Sequence, residues 1–131
     1  MTKINKSEYE WRQLLTPNQF RICRQKETEP AFTGKYFDHK DKGLYKCVCC
    51  KAPLFSSEQK FDSGTGWPSF TAPHNQENIS TEDDLSYGMS RTEVLRNQCG
   101  SHLGHVFEDG PPPSNLRYCI NSGSLDFDSK E

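Results

Sequence analysis

At 131 residues the chain has the length of one domain, with room for a modest buried core. A formal net charge of −2 gives no general electrostatic reason to bind nucleic acid or an anionic membrane. Hydrophobic residues are only 32% of the chain, and the sequence has neither an N-terminal apolar segment of the secretory kind nor an apolar run long enough to span a bilayer.

The first elements read as two short helices over about 7–27. Ser7-x-x-Glu10 is a capping box, with Tyr9, Trp11, Leu14 and Leu15 as apolar candidates behind it. Thr16-Pro17-Asn18-Gln19 is a second, with Thr16 as the cap, Pro17 in the first helical position and Gln19 reaching back. Phe20, Ile22 and Cys23 follow, then the charged run from Arg24 to Glu29 and a stop at Pro30. On its own, Cys23 reads as a small apolar residue on the inner face of the second helix.

From Gly34 onward the texture changes to short apolar or alternating runs separated by Gly, Pro, Asn, Asp and Ser. Strands are expected over Leu44 to Val48, Pro53 to Phe55, Met89 to Arg96, His102 to Phe107, Leu116 to Asn121 and Ser124 to Phe127. Lys40 to Gly43 reads as a hairpin-type turn. The stretch from Asp109 to Pro113 is a stiff loop that cannot join a ladder. No strand is followed by a long helical pattern, so parallel crossover units are not expected.

Six cysteines without an export signal point to metal binding or redox chemistry rather than a secreted disulfide framework. The chain is therefore expected to be cytoplasmic, or a mature domain whose targeting segment has gone. Cys47-x-x-Cys50 is half of a zinc-knuckle pattern, and Cys99 lies downstream. The second half is broken, because Arg96 stands three residues before Cys99 and cannot ligate a cation. Cys49 is a candidate fourth ligand, although its side chain is expected to diverge from those of Cys47 and Cys50. The residues fit two readings, an incomplete metal site or a set of buried thiols.

Three further segments carry candidate chemistry. Arg117, Cys119 and Asn121 share one face of a strand, which sets a permanent cation and a hydrogen-bond donor beside a thiol. A nearby cation favours the reactive thiolate. His102 and His105 have i, i+3 spacing, so on an extended segment their rings are expected to face opposite sides. One of them turned toward Cys119 would serve as a general acid. Gly64 to Phe70 presents Trp67 between glycines and a proline, a rigid aromatic suited either to a small apolar group or to capping the core.

Taken together, Thr28 to Gly34, Cys47-x-x-Cys50 to Phe55, Phe61 to Phe70, His102 to Phe107 and Arg117 to Ser122 resemble, in that order, the B-type methionine-R-sulfoxide reductases. The resemblance runs from about Ser7 to Phe127. It implies a mainly β single domain over 1–131, with two antiparallel sheets, a β core over about 34–127 and short N-terminal helices. It also implies reduction of free or protein-bound methionine-R-sulfoxide through a sulfenic acid. By the same resemblance Cys119 is the nucleophile and Arg117 stabilises its thiolate. His102, His105 and Asn121 surround the reacting sulfur and oxygen, and Trp67 packs on the substrate methyl with Phe107 beside it.

Two positions depart from the family pattern. Thr65 stands where many members carry a resolving cysteine, and Arg96 where a fourth zinc ligand would be. With Thr65 unable to form a disulfide, Cys23 is the candidate resolving cysteine, and thioredoxin or a similar dithiol protein the expected reductant. Structural zinc is the one candidate cofactor; no organic cofactor, nucleic-acid partner or membrane is expected, and the chain is expected to be a monomer. The competing reading is a zinc-stapled β-sheet binding module that uses the aromatic pocket and never the thiol of Cys119.

Overall fold

The computed structural model describes residues 6–85 and 88–129. Helices α1 (Glu8–Leu14) and α2 (Pro17–Gln25) begin at the two anticipated capping boxes. The Ser7 hydroxyl accepts from the Glu10 amide at 3.2 Å, and the Glu10 carboxylate accepts from the Ser7 amide at 3.1 Å. Thr16 and Gln19 repeat the exchange at 3.2 and 2.9 Å. Each box satisfies amides that a helix start otherwise leaves without partners. Helix α2 ends where Lys26 turns left-handed at φ 58°. Trp11, Phe20 and Cys23 face inward, while Arg24 and Arg12 lie over the rings of Trp11 and Phe20 at 4.5 and 4.2 Å. No helix among the described residues is long and apolar enough to cross a membrane.

The remaining chain forms two antiparallel sheets, as expected. One has three strands in the order β2-β1-β9, from β1 (Gly43–Cys47), β2 (Pro53–Ser56) and β9 (Leu125–Ser129). The other has six in the order β3-β4-β8-β7-β6-β5. These are β3 (Lys60–Phe61), β4 (Ser69–Phe70), β5 (Ile79–Asp84), β6 (Arg91–Arg96), β7 (His102–Phe107) and β8 (Arg117–Ile120). Strand β5 escapes sequence reading because Ile-Ser-Thr-Glu-Asp-Asp carries one aliphatic residue. It is an edge strand, where exposed acidic side chains discourage further pairing.

The core is aromatic. Phe55 stacks on Phe70 at 4.4 Å between centroids, and Tyr45 meets Phe70 edge-on at 5.2 Å, which joins the small sheet to the large one. Tyr118, Ile120 and Leu103 complete it from β8 and β7. Helix α2 lies on β7 and on the 3-10 turn Ser122–Ser124. There the Ile22 Cδ1 methyl packs against Gly123, so a side chain at that position would require Ile22 to shift.

Candidate active site

Strand β8 runs between β4 and β7, and the pleat divides its side chains. Tyr118 and Ile120 turn into the core, whereas Arg117 and Cys119 face the other way and are half-buried. The register puts Ser69 of β4 and His105 of β7 on either side of Cys119. Cys119 opens into a cleft of about 180 Å³ whose walls include Trp67, His105, Phe107, Arg117 and Asn121. The structure thus brings together six residues from three separate sequence motifs. Thr65 is also on this wall, with its hydroxyl 2.8 Å from that of Ser63.

Burial pushes the Cys119 thiol up, and the guanidinium of Arg117 opposes the rise without cancelling it; the carboxylates of Glu29 and Asp109 add to it. The simple expectation of a thiol lowered by its cation therefore needs correction, because the desolvation cost of the thiolate exceeds what Arg117 returns. Part of the cation's field is already engaged. Asp109 accepts from Arg117 Nε and Nη2 at 2.9 and 3.1 Å, and the guanidinium lies 4.5 Å over the Phe107 ring. That fork and that stack fix the cation at the mouth of the cleft.

The two histidine rings lie on the same side, with centroids 5.6 Å apart, not on opposite sides as strict alternation predicts. The cause is a bulge. Leu95 pairs with His102 and Val94 with Gly104, so Leu103 is an extra residue on β7 and alternation restarts after it. His105 lines the cleft, and its Nε2 is 2.7 Å from the Asp84 carboxylate. Arg91 approaches the same oxygen at 3.3 Å. His102 sits deeper, its Nδ1 2.7 Å from the buried Glu93 carboxylate, and burial holds its pKa below the usual imidazole value. Each ring thus has a carboxylate that fixes its orientation. Sequence reasoning missed Asp84 and Glu93, since only the β5–β6–β7 register carries them to the histidines.

Glu29 was missed as well, and it organises the opposite wall. Its amide donates to Asn121 Oδ1 at 3.0 Å, its carbonyl accepts from the Trp67 indole at 2.9 Å, and its carboxylate accepts from the Gly123 amide at 2.9 Å. Asn121 Nδ2 donates to the Leu103 carbonyl at 3.2 Å, which ties this wall back to the bulge. Asn121 is therefore largely committed to holding Glu29 and Leu103 in place. A glutamate directly before Pro30, at the end of a charged run, is the local signal, and nothing in it marks the residue as buried.

The other five cysteines gather away from the cleft. The sulfurs of Cys47, Cys49 and Cys99 lie within 4.8 Å of one another, and the Cys47–Cys99 separation is 3.6 Å. Tetrahedral zinc thiolates have Zn–S bonds of about 2.3 Å, hence sulfur–sulfur edges of about 3.8 Å. The cluster fits such an ion and could hold one. Cys49 does not diverge as expected, because residues 48–50 form a turn, Lys51 is left-handed at φ 68°, and strand alternation ends at Cys47. Cys50 instead accepts from Arg96 Nε at 3.1 Å. Cys23 is buried with its thiol against that of Cys49, and it does not line the cleft. The anticipated Cys23–Cys119 pair is thus not assembled, because the inner face of α2 points into the core behind β8.

The chain is similar to known proteins over nearly its whole length. The SelR domain model matches residues 15–129. A peptide methionine sulfoxide reductase MsrB from Hahella chejuensis is 56% identical over 131 residues, covering 100% of this chain and 94% of its own. One from Synechococcus is 58% identical over 127 residues, covering 97% of this chain and 93% of its own. One from Acinetobacter baumannii is 55% identical over 131 residues, covering 100% and 94%. Matched over nearly its whole length by both measures, the chain belongs to the SelR-domain family, the B-type methionine-R-sulfoxide reductases.

Proposed function

We propose that this protein reduces methionine-R-sulfoxide, free or within oxidised proteins, to methionine, with Cys119 as the nucleophile. The observation that carries the reading is the placement of one half-buried thiol at a cleft walled by Trp67, His105 and Arg117. The Cys119 thiolate attacks the sulfoxide sulfur, and a sulfur–sulfur bond forms as the protonated oxygen leaves as water. Water then attacks the Cys119 sulfur and breaks the sulfur–sulfur bond, which leaves a sulfenic acid on Cys119 and releases methionine reduced by two electrons. A proton must reach the sulfoxide oxygen for the sulfur–oxygen bond to break. His105, oriented by Asp84, supplies it, with His102 and Glu93 behind. Trp67 and Phe107 receive the methyl group, and Asn121 shapes the floor. Arg117 limits the rise of the thiol pKa.

A thiol reductant then attacks the sulfenic acid with loss of water, and a second thiol releases Cys119 and leaves the reductant as its disulfide. A cytoplasmic dithiol protein of the thioredoxin kind fits this requirement, acting on a monomer. The test is to incubate the protein with each sulfoxide epimer and dithiothreitol and follow methionine. Consumption of the R epimer alone, lost in Cys119→Ser, is the expected result. Turnover of the S epimer, or activity retained in Cys119→Ser, overturns the reading.

A further inference from the structure

The five cysteines other than Cys119 do not line the cleft; the Cys50 thiol lies against those of Cys47 and Cys99, but it also accepts from Arg96 Nε at 3.1 Å. We propose that the metal site of this chain is a four-sulfur site made by Cys23, Cys47, Cys49 and Cys99, so that helix α2 donates a ligand and Cys50 does not.

The argument starts from Arg96, which is 5% exposed and fixed at every nitrogen. Its Nε donates to Cys50 at 3.1 Å. Its Nη1 donates to the Asn78 carbonyl at 3.3 Å and the Asn97 side chain at 2.5 Å, and its Nη2 to Gln98 at 2.9 Å. A guanidinium held so firmly pairs with the Cys50 sulfur and repels a divalent ion brought to it. The three sulfurs that do converge are those of Cys47, Cys49 and Cys99. A structural thiophilic ion takes four protein ligands. Cys23 is the remaining thiol, 2% exposed and in contact with Cys49. It stands outside the 4.8 Å set, so ligation through it requires its side chain to swing toward Cys47 and Cys99. The neighbouring Arg24 already fastens α2 to this place, with Nη1 donating to the Cys99 carbonyl at 2.7 Å.

The site lies on the chain just before the catalytic wall. From Cys23 the helix runs out to Lys26 and leads directly into Thr28, which lines the cleft, and Glu29, which holds Trp67 and Asn121. An ion bound through Cys23 anchors that wall. A sulfur so bound is also unavailable for a disulfide with Cys119, which leaves the sulfenic acid to an external thiol.

The experiment uses the full chain with Cys119→Ser, reduced and freed of metal, then titrated with cobalt(II) and with zinc. One cobalt per chain is expected, with the visible bands of a tetrahedral four-thiolate site, unchanged by Cys50→Ser. Cys23→Ser is expected to weaken binding by at least about tenfold and to shift the bands to those of a three-sulfur site. Alkylation with and without zinc, mapped by mass spectrometry, tests the same point without a variant at Cys23. Zinc should protect Cys23, Cys47, Cys49 and Cys99 and leave Cys50 reactive. Loss of binding in Cys50→Ser with Cys23→Ser unaffected, zinc protection of Cys50 in place of Cys23, or no stoichiometric binding at all, each overturns the proposal.

Discussion

The indole N–H of Trp67 donates to the main-chain carbonyl of Glu29 at 2.9 Å, and the amide of the same residue donates to Asn121. The aromatic wall and the floor of the cleft are therefore fixed by one residue that contributes only its backbone to them. Trp67→Phe keeps an aromatic face but leaves that carbonyl without its donor. We expect kcat/KM to fall by about tenfold, equivalent to about 1.4 kcal/mol, with most of the change in KM and a small change in Tm. A large fall in Tm with unaltered kinetics would mark Trp67 as a core residue instead.

Cys119→Ser should remove turnover of the R epimer, because a serine hydroxyl is a far weaker nucleophile at neutral pH. In the unaltered protein, one equivalent of substrate without reductant should give one methionine and a sulfenic acid on Cys119. Mass spectrometry after dimedone trapping reads this directly. A Cys23–Cys119 disulfide in its place would show that α2 leaves its seat after methionine departs.

The pH dependence follows from the balance at Cys119. Burial raises the thiol and Arg117 holds the rise in check, so the thiolate fraction, and with it the rate, climbs with pH across the alkaline side of neutrality. Removing the cation in Arg117→Met should move that climb to higher pH. Arg117→Lys retains a charge but not the two-point grip on Asp109, and should fall between the two. A pH profile of kcat/KM for the three proteins, displaced in the opposite order, would contradict the assignment.

His102 makes a separate prediction about stability. Its pKa in the fold lies below its unfolded value of about 6.5, so the unfolded chain binds the extra proton first as the solution is acidified. The fold keeps its full advantage above that value and loses it as the pH falls toward the folded one, at no more than about 1.4 kcal/mol per pH unit. His102→Asn should flatten this limb in a series of Tm measurements between about pH 5 and 8, whereas the parent shows a decline.

How much of this was legible depended on whether a feature is local. The two capping boxes placed both helices, and the alternation of apolar residues placed β7 at its observed ends. Strand β4 has two residues and β5 one aliphatic, so neither carries a pattern to read. The histidines were misplaced because a bulge at Leu103 is created by the pairing partner, and Cys49 because a turn suspends strand alternation. Glu29, Asp84 and Glu93 gain their roles across distances of 21 residues (Asp84 to His105), 9 (Glu93 to His102) and 92 (Glu29 to Asn121) along the chain. No short motif encodes such pairings.

The pleat of β8 is also a partition. Tyr118 and Ile120 share the core with Cys47 and Cys99, while Cys119 looks out through the other face. Oxidising equivalents taken up at Cys119 are in this way insulated from a reservoir of reduced thiols in the same small protein. The insulation is one strand thick and depends on register. A slip of one residue would exchange the two faces, short-circuiting the catalytic sulfur into the cluster.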